Sequence, residues 1–329
     1  MTPSAASASS SPSARIPVVS TLSVPTADLR DALADISPNV EVVLWDFTGA
    51  PVGADPAGIQ AAVLPYTGRA HLDGALDAAP NLVLVQTQST WYDGVADLVG
   101  DGVAIATASG VHAAATAELA VGLALASLRG IDDAVRQQAE GRWSPARHPG
   151  LADRRVLLVG VGGIGEEIRR RLVTFEATVT RVGSTAREDG IGHVHGSDEL
   201  VALAPDHDVV VVITPLSDAT RGLIGREVLA ALPDGALVVN VARGAVVDTD
   251  ALTAEVRTGR LRAALDVVDP EPLPADHPLW RAPGVIITPH VGGNTEAFPP
   301  RILALLERQV ALLGEGRAPE NLVAGGPWA

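Results

Sequence analysis

The chain of 329 residues contains no cysteine. That absence excludes disulfides, thiolate zinc sites, iron–sulfur clusters and a cysteine nucleophile together. Lysine is missing too, so all 24 basic residues are arginine. A P-loop lysine, a pyridoxal phosphate Schiff base and a lysine general base are therefore ruled out. Positive charge is scarce overall, with a formal net charge of −15. The densest basic run, Arg169-Arg170-Arg171, lies in a helical pattern and reads as a solvated face. Such a chain repels nucleic acid and anionic membranes. No apolar stretch reaches membrane-spanning length without Gly, Pro or charge. The first 14 residues, MTPSAASASSSPSA, have neither an apolar core nor an arginine, and read as a disordered tail rather than a targeting peptide. The expectation is a cytoplasmic protein without nucleic-acid or membrane partners.

Apolar material is plentiful. Hydrophobic residues make up 47% of the chain against 19% charged, enough to fill two domains. Short β-branched runs alternate with helical patterns. Strands are expected at 16–22, 40–47, 61–65, 82–86 and 103–106, with helices at 26–36, 71–79 and 93–99 between them. A long Ala/Leu-rich helical stretch runs from Ala113 to about Arg142, with Gly122 and Gly130 marking close packing or a break. A second series places strands at 156–160, 178–182, 209–214, 237–242, 263–268 and 285–288, and a last helix at 300–313. Alternation of this kind means βαβ units and mainly parallel sheets.

The strand Val156–Val159 runs into Gly160-Val161-Gly162-Gly163-Ile164-Gly165 and then a helix. Gly160 permits a tight turn, Gly162 lets the backbone approach a pyrophosphate, and Gly165 lets the helix pack on the strand. The helix amides then face the phosphates. The strand–turn–helix context makes this a dinucleotide site rather than a structural glycine turn. The next strand ends Arg181-Val182-Gly183-Ser184-Thr185-Ala186-Arg187. An NAD site usually has an acid there for the ribose hydroxyl. Gly183 takes its place, and Ser184, Thr185 and Arg187, with Arg181 nearby, suit a 2′-phosphate. NADP is thus favoured, with NAD as the alternative.

Three later strands carry polar residues at their ends: Arg243 after 237–242, Asp266 and Glu271 at and after the end of 263–268, and His290 after 285–288. Ligands of open α/β sheets bind beyond the carboxyl ends of the strands, so Arg243, Glu271 and His290 could converge on one crevice. His193-Val194-His195 has the i, i+2 spacing of a metal pair, but no third ligand is evident and no metal site is expected.

The motifs GVGGIG, TPLSDATRGLIG (214–225), VNVARGAVVD (239–248), LDVVDPEPLP (265–274) and TPHVGG (288–293) together resemble the D-isomer-specific 2-hydroxyacid dehydrogenase family, in its glyoxylate/hydroxypyruvate reductase-like branch. The resemblance runs from about Asn81 to Glu296 and includes Trp143. It implies two Rossmann-like or flavodoxin-like α/β domains with parallel sheets and an active site in the cleft between them. Residues 15–112 and 297–329 would form the substrate domain and 113–296 the dinucleotide-binding domain. The implied reaction is hydride transfer between NADP(H) and a small 2-keto or 2-hydroxy acid of D configuration. His290 would be the general acid–base, Glu271 would orient its ring, and Arg243 would bind the substrate carboxylate. Thr214, Pro215, Val241, Ala242, Gly292 and Asp266 would line the cofactor, together with Gly163 and Ile164 of the glycine turn. Asp266 would face the nicotinamide carboxamide, and His112 and Thr116 lie near that end. A homodimer built on the nucleotide-binding domain is also implied, with 113–129 as its interface or as interior core.

The substrate loop departs from the family pattern. It reads Gln86-Thr87-Gln88-Ser89-Thr90-Trp91-Tyr92-Asp93-Gly94, with Trp91 where glycine is usual. Ser89, Thr90 and Trp91 would contact substrate, with the indole either narrowing the pocket or packing between domains. The alternatives are an NAD-dependent phosphoglycerate-type dehydrogenase and a nucleotide-sensing binding protein with little turnover. Few basic residues in the first domain weigh against the former, and the full Arg243/Glu271/His290 set against the latter. Formate or phosphite oxidation fits the Glu271–His290 pair less well than keto acid chemistry.

Overall fold

The computed structural model describes residues 18–66, 72, 74–90, 92, 94–100 and 102–328. The N-terminal 14 residues and Trp91 lie outside that set. The chain forms two compact units, one of residues 1–108 and 300–329, the other of Ser109–Pro299.

The first unit contains β1 (Thr21–Val24), α1 (Ala27–Leu33), β2 (Glu41–Leu44), β3 (Ala61–Val63), β4 (Leu84–Gln86), α2 (Val95–Val99) and β5 (Ala104–Ala106). β1 to β5 are parallel, in the order β2-β1-β3-β4-β5. Thr26 caps α1 by accepting from the Leu29 amide. The chain returns through the helix Phe298–Gly314, and the strand Leu322–Ala324 adds antiparallel to β5. A buried amide network ties that return in place: Gln309 Nε2 donates to Gln86 Oε1 at 2.7 Å, and Gln309 Oε1 accepts from the Glu320 amide at 2.8 Å. Of the helix expected at 71–79, only a 3₁₀ turn at Leu76–Ala78 appears among the described residues.

The second unit opens with α3 (Ala113–Leu128) and α4 (Ile131–Ala139). They are two helices, not one, because Gly130 adopts φ +61° between them. α3 is apolar almost all round, and most of its residues are buried against its neighbours. Then follow β6 (Arg155–Val159), α5 (Gly163–Thr174), β7 (Thr178–Val182), the antiparallel hairpin β8 (Arg187–Asp189) and β9 (Gly192–Val194), α6 (Leu200–Leu203), β10 (Val209–Val212), α7 (Arg226–Ala231), β11 (Leu237–Asn240), α8 (Thr249–Arg257), β12 (Arg262–Leu265) and β13 (Val285–Ile287). Six of the strands form one parallel sheet, β7-β6-β10-β11-β12-β13. The all-valine β10 is wholly buried at its centre, as a strand covered on both faces requires. An isolated parallel bridge between Val182 and His195, the residue after β9, ties the hairpin to the edge of the sheet at β7. The sheet order reverses between β6 and β10, so the ligand crevice of a doubly wound sheet falls there.

Several strands end sooner than the apolar runs suggest. Val241, Ala242 and Val267 are buried but lie beyond the strands, in loops packed over the carboxyl edge of the sheet. Among the described residues no single helix is long and apolar enough to cross a membrane. Ile168 of α5 is fully buried. Ile168→Ala should cost about 2–5 kcal/mol, read as a lower denaturant midpoint of the cofactor-free protein.

Candidate active site

The glycine turn is built by contact. Gly160 has φ +120°, and a Cβ there would lie 2.6 Å from the Ile213 carbonyl oxygen. A Cβ on Gly165 would lie 2.1 Å from the Gly160 carbonyl oxygen. Both positions therefore require glycine, and they bring the start of α5 against the ends of β6 and β10. Cβ atoms on Gly162 and Gly163 would meet nothing within 4 Å. The start of α5 is thus open to solvent at Gly162 and Gly163, where a phosphate can approach the helix N-terminus. Ile164 is buried behind them. Thr214 and Pro215 continue from the end of β10, beside Gly160. This turn fits the pyrophosphate of a dinucleotide.

Beyond β7 the arginines divide their roles. Arg181 is 6% exposed and forks onto Asp189 with two 2.8 Å hydrogen bonds, then onto the Gly192 carbonyl. The guanidinium, with the Ile191 amide, holds the Asp189 carboxyl at about 2, well below the usual carboxylate range. Arg181 is therefore the anchor of the β8–β9 hairpin and is not available to a phosphate. Arg187 is exposed, with Nη1 donating to the Thr185 carbonyl at 3.2 Å and lying 2.9 Å from where a Gly183 Cβ would be. Gly183, Ser184, Thr185 and Arg187 thus form one exposed loop.

At the other side of the sheet, β11, β12 and β13 end in register, and the ladder continues past them. The Asp266 amide donates to the Asn240 carbonyl and the Thr288 amide to the Leu265 carbonyl, each at 2.9 Å. Asn240 is buried and clasps the next turn: its Oδ1 accepts from the Ala242 amide, and its Nδ2 donates to the Arg243 carbonyl. Gly244 packs against the backbone at Val268 so closely that a Cβ would overlap it. This holds Val241, Ala242 and Arg243 at the strand end, with Arg243 Nη1 donating to the Ala242 carbonyl at 2.8 Å.

Asp266 is 3% exposed. Its Oδ1 accepts from the Thr288 hydroxyl at 2.6 Å and the Val291 amide at 2.9 Å, and its Oδ2 from the Gly292 amide at 2.9 Å. Its backbone carbonyl takes the His290 amide. His290 sits inside this clasp with φ +54°, a left-handed conformation that is costly for a side chain with a Cβ. His112 and Thr116 brace the same turn. His112 Nδ1 lies 3.3 Å from the Gly293 carbonyl and its ring stacks on Phe298, while the Thr116 side chain packs over Gly292.

The turn delivers the His290 ring to Glu271. Nδ1 and Oε1 are 2.5 Å apart, and the two side chains are 45% and 38% exposed. Nδ1 is thereby engaged, and Nε2 is the nitrogen available to a ligand. Arg243, Asp266, Glu271 and His290 all stand at the carboxyl edge of three neighbouring strands. Ser89 and Thr90 belong to the other unit, in the loop after β4, where the Ser89 carbonyl accepts from the Ala108 amide and the Thr87 hydroxyl. Sequence reasoning had not singled out Asn240 and Thr288. Each is a lone polar residue closing an apolar run, and that was the available clue.

A Rossmann-type unit with this glycine turn and an acid–histidine pair at its strand ends defines an NAD(P)-dependent oxidoreductase. A family model for the D-isomer specific 2-hydroxyacid dehydrogenase NAD-binding domain matches residues 121–292. The chain is 33% identical over 260 residues to a glyoxylate reductase of Thermofilum pendens, covering 75% of this chain and 76% of that one. A D-isomer specific 2-hydroxyacid dehydrogenase from Xanthobacter autotrophicus, solved with NADPH and MES, superposes with a TM-score of 0.78 at 28% identity, over 93% of this chain and 98% of that one. An NADPH-dependent glyoxylate/hydroxypyruvate reductase from Sinorhizobium meliloti, solved with NADP and malonate, gives a TM-score of 0.76 at 27% identity, over 94% and 98%. The chain belongs to the D-isomer specific 2-hydroxyacid dehydrogenase family and is an NAD(P)-dependent dehydrogenase.

Asp266→Asn replaces one acceptor oxygen by a donor that must face another N–H or O–H. It should cost about 1–3 kcal/mol. A lower melting temperature of the cofactor-free protein checks this, since no cofactor contact contributes there.

Proposed function

We propose that the protein reduces a small, unphosphorylated 2-keto acid of the glyoxylate/hydroxypyruvate class to the D-2-hydroxy acid, using NADPH. The observation that carries the reading is the His290–Glu271 pair, held at the strand ends with Nε2 of His290 outward. When bound, the nicotinamide supplies the hydride to the carbonyl carbon. His290 gives its Nε2 proton to the carbonyl oxygen, which becomes the product hydroxyl. Glu271 Oε1 accepts a hydrogen bond from Nδ1–H, fixes the ring plane and offsets the imidazolium charge. Arg243 presents a planar fork to the substrate carboxylate and draws electron density from the adjacent carbonyl. A carboxylate oxygen has two lone pairs, so Asp266 Oδ2 keeps capacity for a nicotinamide carboxamide N–H beside the Gly292 amide.

The preference for NADPH rests on the loop after β7. Residues 183–187 include no carboxylate where an NAD site usually has one, and Ser184, Thr185 and the exposed Arg187 can receive a 2′-phosphate. The NADPH and NADP held by the Xanthobacter and Sinorhizobium structures support this choice. A homodimer is part of the proposal. Ile131, Val135 and Trp143 expose apolar surface at 49%, 60% and 95%, a cluster near in sequence that a second copy would cover.

The direct test follows absorbance at 340 nm with a panel of 2-keto acids, with NADPH and NADH in parallel. Rapid NADPH oxidation with glyoxylate or hydroxypyruvate is the anticipated result; cofactor binding without turnover on any keto acid would overturn the proposal. His290→Ala should lower kcat by about 10²–10⁴-fold while leaving the NADPH Kd nearly unchanged. Gly183→Asp would set a carboxylate against Arg187 and should weaken NADPH relative to NADH. An unchanged ratio of the two kcat/KM values would place the 2′-phosphate elsewhere.

A further inference from the structure

The β8–β9 hairpin carries a second cluster of chemistry that the dehydrogenase reaction does not use. His193 and His195 project from the same side of the strand, as i, i+2 residues do. Their rings meet edge to face with centroids 4.4 Å apart. The fold supplies the third group that the His-Val-His spacing lacked. Glu199, in the 3₁₀ turn after the hairpin, places Oε2 2.8 Å from His195 Nδ1. One ligand atom from each of His193, His195 and Glu199 lies within 4.8 Å of the other two.

We propose that His193, His195 and Glu199 form a binding site for a divalent transition-metal ion such as zinc, bracing the loop that borders the cofactor's 2′ position. Each ligand is already oriented by a second contact. Glu188, directly across the ladder from His193, holds its Nδ1 at 2.7 Å and leaves Nε2 for the metal. His195 is fixed through its backbone, donating to the Arg181 carbonyl and accepting from the Gly183 amide, each at 2.9 Å. Glu199 is fixed through its other oxygen, Oε1, which accepts from the Gly196 amide at 2.7 Å. A carboxylate behind a ligating histidine is the usual outer-shell arrangement.

Zinc bonds of about 2.0–2.2 Å set tetrahedral ligand atoms roughly 3.4 Å apart. His193, His195 and Glu199 are 47%, 27% and 39% exposed, so small side-chain rotations close the present spacing without moving the backbone. The ion takes the place of the proton now shared by His195 and Glu199, and water fills the remaining position. Two imidazoles and one carboxylate select borderline ions such as Zn²⁺, Ni²⁺ or Cu²⁺ over Mg²⁺ or Ca²⁺. The hairpin residues contact the loop through the Gly183–His195 hydrogen bond and through Ser197 Oγ, 3.4 Å from the Ser184 carbonyl.

The test is calorimetric titration of the full, tag-free chain with zinc chloride. One equivalent should bind per chain, with release of the proton now shared by His195 and Glu199. His193→Asn/His195→Asn should abolish that event, and Glu188→Gln should weaken it by about 10–100-fold. His277→Asn, elsewhere on the same unit, should leave it unchanged. Cobalt(II) added to the wild-type chain provides a readout that needs no variant: low-symmetry coordination by these ligands gives an enhanced visible absorption that hydrated cobalt lacks. No binding heat and no cobalt band in the wild type, or an undiminished event in the double histidine variant, would overturn the site.

Discussion

A carboxylate buried at the end of a strand must find donors, and Asp266 finds them all in the turn that carries His290. Leaving such a group unpaired costs far more than the hydrogen bonds return. The Thr288 hydroxyl and the amides of Val291 and Gly292 therefore have little choice of position. The left-handed backbone at His290 follows from this. It is an unfavourable local conformation imposed by stronger contacts on either side. The ring that results is exposed at the tip of an otherwise rigid turn, where Glu271 meets it. A flexible loop would present the same two side chains without fixing which nitrogen faces outward.

The cofactor end depends on a different constraint, which is lack of space. Two backbone approaches, Gly160 against Ile213 and Gly165 against Gly160, join β6, β10 and α5 at the point where the sheet order reverses. Adding a methyl group at either glycine would separate the strand from the helix whose N-terminus fits a pyrophosphate. The carboxyl edge of the sheet thus has both ends specified, one by contact and one by hydrogen bonds, with rigid parallel ladders between them.

Much of this was legible in the sequence because it has fixed spacing. The glycine turn, the Arg243, Glu271 and His290 segments and the alternation of strands and helices all lie in short local patterns. What was not legible depends on groups distant in the chain. Arg181 looked like a phosphate ligand because its neighbours in sequence are polar, but its partner is Asp189, reached only when the hairpin folds back. The hairpin itself, Arg-Glu-Asp followed by Gly-His-Val, has no hydrophobic alternation to announce two strands. Strand ends were overrun at Val241, Ala242 and Val267 because apolar character marks burial, and these residues are buried in loops rather than paired in the ladder. Of the two glycines in 113–142 that could mark close packing or a break, Gly122 stays within α3, while Gly130 ends it through a left-handed backbone.

The division of labour between Arg181 and Arg187 bears directly on the proposed use of NADPH by so acidic a chain. With all its cations as arginine and a net charge of −15, the protein has no basic surface to spare. Arg181 forks onto Asp189 and the hairpin carbonyls, and that brace holds the β8–β9 hairpin on which Arg187 stands, its Nη1 donating to the Thr185 carbonyl. A single exposed arginine on a flexible loop would gain little from meeting a phosphate, because ordering the side chain would consume the gain. Mounted on a braced hairpin, the same guanidinium loses less freedom on binding. In the NADPH reading proposed above, the hairpin's brace matters as much as the absence of an acid at Gly183.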